Sequence, residues 1–373
     1  MASSHPGPFK GTLKYQSENV SRSLRSNGKV YSNRDSTGTD SPPVGVEQIE
    51  VSVSVESGRK EGEERPRIHR EGFELLPSVC PDMDLFDDSV ILEQYYPHVE
   101  TLLKEKLGAA HVFAFDHNLR SSSKGSWMHK TSSSSEEDGK GEGDKNAERL
   151  KGGNLVQSPV AVVHGDLTLT SAPRRLEMLA EAPRENDTLR RKLGDAPLIS
   201  ADLVNEAVSG KRRFACVNVW RSVGEGVVKV SPLAMCDCRS VGDGDLVTFE
   251  VRYSDRTGEN YLAGHSEGHR WTVDLTMFNL SCLSRTCLHI PPNKLELDLR
   301  IFPEMNRDEV VLLKCWDSEG DFAKKNQTDS QGGGFAEPFS TFALHSAIEL
   351  TDTSPAPDAP ARKSLEVRTV VIF

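Results

Sequence analysis

The chain has 373 residues, 36% of them apolar, and a formal net charge of -11. That length can bury a sizeable core in one large or two modest domains, and the acidic balance lacks the phosphate-neutralising surface of a nucleic-acid binder. No apolar run approaches a membrane span, the opening MASSHPGPFKG has no apolar segment of a secretory signal, and the seven scattered cysteines form neither a disulfide framework nor paired zinc knuckles, which fits a reducing cytosol.

Residues 1–45, rich in Ser, Asn, Gly and Pro, read as a mobile N-terminal arm, and residues 46–373 as a single domain. Ile49, Val51, Val53 and Val55 alternate with polar residues at the period of a half-buried strand. The charged run Arg59 to Arg67 predicts a turn or loop. Asp87 or Asp88 is placed to cap a helix through Tyr95. Pro97 suits the first turn of a second helix, whose Val99, Leu102, Leu103 and Leu107 share a face and which Gly108 ends. A strand follows over His111 to Phe115. Residues 121–153 are Ser-rich, then Glu/Gly/Lys-rich, and predict a disordered surface loop. Beyond it candidate strands crowd together, over 160–163, 214–220, 246–253, 310–316, 339–345 and 365–373. One helix stands among them, with Pro173 in its first turn and Leu176, Leu179 and Ala180 on one face. Many short strands and few helices predict a mainly β fold with α cover, an antiparallel sandwich or barrel. No nucleotide-binding glycine fingerprint follows any strand, and Gly332 to Gly334 make a flexible loop rather than a phosphate cradle.

His164-Gly165-Asp166 closes the apolar run Val160 to Val163. On a strand, residues i and i+2 share a face, so both ligand-type side chains can reach one metal ion. His345 ends a late strand and supplies a second imidazole. Two His and one carboxylate on one side of an ion form the facial triad of non-haem Fe(II) oxygenases; a polar surface or core pair is the plainer alternative. At the C-terminus, Arg362 and Ser364 stand two apart at the opening of the last strand. The guanidinium can hold a carboxylate bidentately while the hydroxyl donates to it, the anchor that a dicarboxylic co-substrate such as 2-oxoglutarate needs. Arg368 lies further along the same face and is the second candidate; a solvated edge-strand charge is the alternative for either. The expectation is that His164, Asp166 and His345 converge on one cavity. Arg362, or failing it Arg368, should lie on the strand beside His345 and point into that cavity.

Several segments carry a resemblance: Phe115-Asp116-His117-Asn118-Leu119-Arg120, Val163-His164-Gly165-Asp166-Leu167-Thr168 and Asn218-Val219-Trp220-Arg221. Pro232-Leu233-Ala234-Met235-Cys236-Asp237-Cys238-Arg239-Ser240 and His269-Arg270-Trp271 follow. Then come Phe302-Pro303-Glu304-Met305, Asp308-Glu309-Val310, Lys314-Cys315-Trp316-Asp317-Ser318 and Ser364-Leu365-Glu366-Val367-Arg368. In order from about residue 72 to the end, the chain resembles the fungal hydroxylase/desaturase family that also contains the cephem methoxylation component. The resemblance implies hydroxylation or desaturation of a small-molecule secondary metabolite, with Fe(II), O2 and 2-oxoglutarate. The fold expected is a double-stranded β-helix (jelly-roll) core. Asn218, Trp220 and Arg221 then read as substrate pocket, Trp220 as an apolar wall and Arg221 as a partner for an acidic group, or as core packing with a surface Arg. Asp237 and Arg239 read as a structural ion pair, and His117 and His269 as spare imidazoles that replace a ligand if the triad is wrong.

The chain departs from the family twice. Thr272 to Ile301 stand between two motifs that the family places almost side by side, which points to a retained intron forming an excursion outside the core sheet; Cys282, Cys287 and His289 lack the second close ligand pair of a zinc site. The distal histidine sits in Leu344-His345-Ser346-Ala347-Ile348, where the family has Pro-His-Thr-Ala-Phe. The rival readings are a non-catalytic accessory or binding subunit of a tailoring complex, an inactive product of a mis-spliced gene, and a zinc hydrolase using the same ligands.

Overall fold

The computed structural model describes residues 9–27, 30–33, 44–59, 65–123, 156–185, 187–253, 256–273, 305–327, 338–351 and 359–373. Fifteen strands run through them: β1 (Phe9–Gln16), β2 (Val30–Asn33), β3 (Gln48–Ser57), β4 (Phe73–Pro77), β5 (His111–Ser121), β6 (His164–Gly165), β7 (Phe214–Ser222), β8 (Leu233–Cys236), β9 (Leu246–Arg252), β10 (Thr257–Ala263), β11 (Trp271–Val273), β12 (Glu309–Asp317), β13 (His345–Ala347), β14 (Glu349–Leu350) and β15 (Lys363–Ile372). Ten form one sheet, in the order β14-β1-β3-β11-β8-β13-β6-β10-β9-β2. Five form the second, in the order β4-β12-β7-β15-β5. The fold is mainly β with few helices, as the strand-dense sequence predicts, and the two sheets form the jelly-roll core that the resemblance implies.

The small sheet explains why its strands lose the alternation that marks a half-buried strand. Every residue of β7 is buried. Phe214, Cys216 and Trp220 face inward, into a core shared with Leu13, Val55, Met235 and Leu344 of the large-sheet side. Ala215, Val217 and Val219 face outward, under Tyr95, Tyr96, Val99 and Leu103 of a helical layer. A strand covered on both faces reads as a continuous apolar run. β15 follows the same parity, with Val370 and Ile372 in the inner core and Leu365, Val367 and Val371 in the outer one. In β12 the register shifts between Lys314 and Trp316, and both Cys315 and Trp316 join the inner core.

The helical layer is one continuous run rather than the two helices expected. Asp87 caps it by accepting from Ser89 N and Val90 N. A wide turn over Ile91–Tyr95 leads directly into the helix Tyr96–Leu107. Pro97 has no N–H to give the preceding turn, and a wide turn accommodates that loss. Gly108 ends the helix with φ 65°, a left-handed conformation that costs glycine little.

The N-terminal arm is corrected by the structure. β1 pairs with β3 along its length, from Phe9 opposite Val55 to Gln16 opposite Gln48, and β2 runs parallel to β9. Phe9, Leu13 and Tyr15 are buried. Their period-two spacing is a strand signal that the polar composition around them obscured. The strand expected over 160–163 is reduced to an isolated bridge between Val162 and Lys14, and regular pairing begins at His164. The strand expected over 339–345 begins instead at His345. Of the Thr272 to Ile301 segment, Thr272 and Val273 continue β11, between β3 and β8; the rest lies outside the described residues. So does most of the 121–153 loop, of which Ser121 ends β5.

Candidate metal centre

β6 and β13 are neighbours in the large sheet, and His345 stands directly opposite His164. Directly opposed residues of an antiparallel pair project from the same face. The two imidazole rings accordingly lie 4.2 Å apart, centre to centre, tilted by 51°. Asp166 follows β6 with only Gly165 between it and His164. Its Oδ1 lies 3.5 Å from His164 Nε2 and 3.8 Å from His345 Nε2. One ligand atom from each residue falls within 4.8 Å of the others. Ligands about 2.1 Å from a shared ion stand roughly 3–4 Å from one another, so the spacing fits a single cation.

Each ring is held by its other nitrogen. His164 Nδ1 donates to Val162 O at 2.9 Å and His345 Nδ1 donates to Ala343 O at 3.3 Å. A carbonyl only accepts, so Nδ1 carries a proton and Nε2 is the nitrogen turned toward Asp166. Burial first, then the neighbouring His164, lowers the pKa of His345 to about 4, which keeps it neutral and able to ligate. Burial opposes the charge on Asp166, but contact with His164, the nearby His345 and the charge of Arg368 outweigh it. Its carboxyl is held well below the usual carboxylate range. Two imidazoles and one carboxylate are a donor set for a first-row divalent ion.

The three residues open on a small cavity whose far wall is the inner face of β15. That strand belongs to the facing sheet and is not beside His345 as expected, so Arg362 and Arg368 reach the cavity from across the sandwich. Arg362 is 4% exposed. It donates to Ser364 Oγ at 3.2 Å and to Ser231 O, and its guanidinium lies 5.1 Å from the centre of the Trp220 ring. No carboxylate of the described residues pairs with it. Burial, then the like charge of Arg120, lowers its pKa to about 9, so it remains a cation at neutral pH. Arg368 differs. It is 2.8 Å from Asp116 Oδ2 and 3.4 Å from Glu366 Oε1, so its charge is already balanced. Burial works against that charge, but these two carboxylates more than compensate and its pKa is raised.

Trp220 lines the cavity. Asn218 shares its face of β7 and donates to Asp166 Oδ2 at 2.7 Å. Arg221 does not belong there. It lies on the opposite face, fully buried, and donates to Tyr95 OH, Ser78 O and Ser78 Oγ at 2.8 Å each. One residue of parity separates a pocket wall from a structural clamp. His117 lies under the helical layer against Tyr96 OH, 2.9 Å away, and Asp88. His269 bridges Tyr15 OH and Asp245. Neither joins the cluster. Asp237 and Arg239 do pair, at 2.7 Å, with Arg270 and Glu71 completing the network.

Three residues of the site escaped the sequence reading. Glu366 lines the cavity, and burial raises the pKa of its carboxyl. It lies between Ser364 and Arg368 at strand period, so that signal was present. Arg120 also lines the cavity; it stands opposite Ser364 in the β15–β5 ladder, a cross-strand register that no local pattern reveals. Cys315, on β12, approaches Asp166 Oδ2 at 3.2 Å.

A family model described as "Oxidoreductase/YMDC permease-like domain" matches residues 13–277. No helix among the described residues is long and apolar enough to cross a membrane. An uncharacterised protein in the dcmA 3' region of Methylophilus leisingeri is 32% identical over 214 residues, 57% of this chain and 89% of that protein. The hydroxylase/desaturase efuI of Hormonema carpetanum is 25% identical over 307 residues, covering 82% of this chain and 78% of its own. Among solved structures, a variant of the iron and alpha-ketoglutarate-dependent endoperoxidase NvfI superimposes with a TM-score of 0.62 at 17% identity, covering 100% of this chain and 99% of its own.

Proposed function

The chain belongs to the family described as Oxidoreductase/YMDC permease-like domain, and we propose that it is an Fe(II)- and 2-oxoglutarate-dependent oxygenase that hydroxylates or desaturates a small secondary metabolite. The observation that carries this reading is the approach of one ring nitrogen from each His and one carboxylate oxygen to within 4.8 Å of one another, across a cavity from a buried guanidinium that forms no ion pair with a carboxylate of the described residues. The relative named as a hydroxylase/desaturase and the structural neighbour named for iron and alpha-ketoglutarate support it.

His164, Asp166 and His345 would hold the ion from the large-sheet side and leave its cavity side open. With 2-oxoglutarate, Fe(II) supplies activation of O2 coupled to loss of CO2 from the oxo acid, and the oxidising power to remove hydrogen from a substrate carbon. The chain supplies position. Arg362, steadied by Ser364 and Trp220, is placed to bind the distal carboxylate of the co-substrate. Arg368, balanced by Asp116 and Glu366, shapes the cavity wall instead. Trp220, Val160 and Leu233 give the same space an apolar wall. Five free cysteines among the described residues support a reducing compartment, the cytosol.

The test is succinate formation from 2-oxoglutarate with added Fe(II) in air. Succinate formed by the intact chain and not by Asp166→Ala supports the reading. Equal traces from both would remove it.

A further inference from the structure

We propose that Asn218 and Cys315 are positioning residues that fix Asp166 as a ligand through Oδ1 alone. The inference rests on the metal reading above and adds to it the groups that determine how the carboxylate presents itself.

Asp166 sits on the large-sheet side of the cavity, yet its Oδ2 is occupied from the other sheet. Asn218 Nδ2 on β7 donates at 2.7 Å, and Cys315 Sγ on β12 donates at 3.2 Å. An ionised carboxylate only accepts, so the Asn218 amide must turn its nitrogen toward it. A thiol is a weak donor, and Cys315 Sγ lies nearer to Asp166 Oδ2, at 3.2 Å, than to Leu313 O, at 3.8 Å. Both donors are 2% exposed, out of reach of competing water. Asn218 is itself held in the ladder, opposite Leu313 on β12 and Arg368 on β15.

A carboxylate beside a cation can offer one oxygen or two, and it rotates readily between those modes. Here two donors arrive on Oδ2 from the small sheet, while Oδ1 is the oxygen within 4 Å of both imidazole Nε2 atoms. Chelation through both oxygens would set the ion in competition with these two buried donors for the lone pairs of Oδ2. One-oxygen ligation keeps every bond. It also leaves one more position of the ion open to co-substrate, and it makes the ligand's placement depend on the distance between the two sheets.

The test titrates the metal-free protein with Co(II) and follows affinity and the visible ligand-field spectrum. The variants are Asn218→Leu, Cys315→Ala and Cys315→Ser, with His345→Ala as the control. Asn218→Leu is expected to weaken Co(II) binding by about 10- to 100-fold and to shift the spectrum as the freed carboxylate changes its mode. Cys315→Ala moves both in the same direction by less, and Cys315→Ser, whose hydroxyl can donate, restores them. Thermal unfolding shows whether each variant folds; if Asn218→Leu does not, the Ala and Ser variants at Cys315 decide the matter between them. Native affinity and an unchanged spectrum in the folded variants, with binding lost in His345→Ala, overturn this inference and leave the metal site standing. Binding that His345→Ala leaves intact removes the metal reading and this inference together.

Discussion

His164 and His345 are direct partners across a ladder of two very short strands, β6 and β13, and their rings stand 4.2 Å apart. Neither strand sets this register by itself. β10 holds β6, with Leu262 opposite His164, and β8 holds β13, with Met235 opposite His345. A one-residue slip on either side would turn one imidazole to the other face of the sheet. The proposed ligand pair is thus a product of sheet register, and the longer neighbours β8 and β10 guard it.

The two arginines of the cavity wall should separate in experiment. Arg362→Gln removes a cation that has no carboxylate partner among the described residues, so its loss should fall on ligand binding. An affinity for 2-oxoglutarate lower by roughly 10–100-fold, equivalent to about 1.5–3 kcal/mol, is expected with Fe(II) affinity little changed. Arg368→Gln instead removes the cation that Asp116 and Glu366 share, and should lower unfolding stability by about 1–3 kcal/mol. Calorimetric binding and denaturant melts on both variants check the assignment. If Arg368→Gln abolishes 2-oxoglutarate binding and Arg362→Gln does not, the roles are reversed.

Arg221 should behave as part of the frame. Its guanidinium ties β7 to the helical layer through Tyr95 and to the segments around Ser78 and Arg307. Arg221→Met strands several buried acceptors, a change that costs about 3 kcal/mol of stability. The folded fraction should keep native affinity for metal and co-substrate. A variant of native stability with impaired ligand binding would return Arg221 to the pocket.

His69 gives the fold an acid limit. Its ring stacks on Phe339, 5.4 Å between centres. Burial, followed by the charges of Lys314 and Arg213, lowers its pKa from 6.5 to about 4. Between those values the unfolded chain binds a proton that the folded chain refuses, so stability falls as pH drops through that window and is unaffected above it. His69→Phe keeps an aromatic ring and removes the titration. Denaturant melts across the window should show a shallower loss for the variant; identical slopes would mean that His69 is not a source of the acid sensitivity.

Much of the proposed site was legible because strand parity is local. His164 with Asp166, and Arg362 with Ser364 and Arg368, group by spacing alone; His164, Asp166, Arg362 and Arg368 line one cavity, and Ser364 meets it through its bond with Arg362. Parity does not say which face meets which core. Arg221 was placed in the pocket because β7 is buried on both faces, so its apolar run carries no mark of inside and outside. The Arg362-x-Ser364 spacing and the need for a cation opposite a dicarboxylate place β15 beside His345, yet it lies in the facing sheet, because spacing within a strand does not say which sheet the strand joins. β1 was missed for a different reason: Phe9, Leu13 and Tyr15 alternate cleanly, but composition averaged over the first 45 residues hid them. Cys315 could not be found from sequence, since its role depends on a contact between sheets.

The central claim is that His164, Asp166 and His345 hold one Fe(II), and anaerobic iron stoichiometry tests it most directly. The metal-free protein is equilibrated with Fe(II) under exclusion of air, freed of unbound metal, and assayed for iron per chain alongside His164→Ala, Asp166→Ala and His345→Ala. The account predicts one iron per folded chain for the unaltered protein, and a fall to the background of a non-binding control in each variant. Stoichiometric iron retained by folded Asp166→Ala and His345→Ala would contradict it.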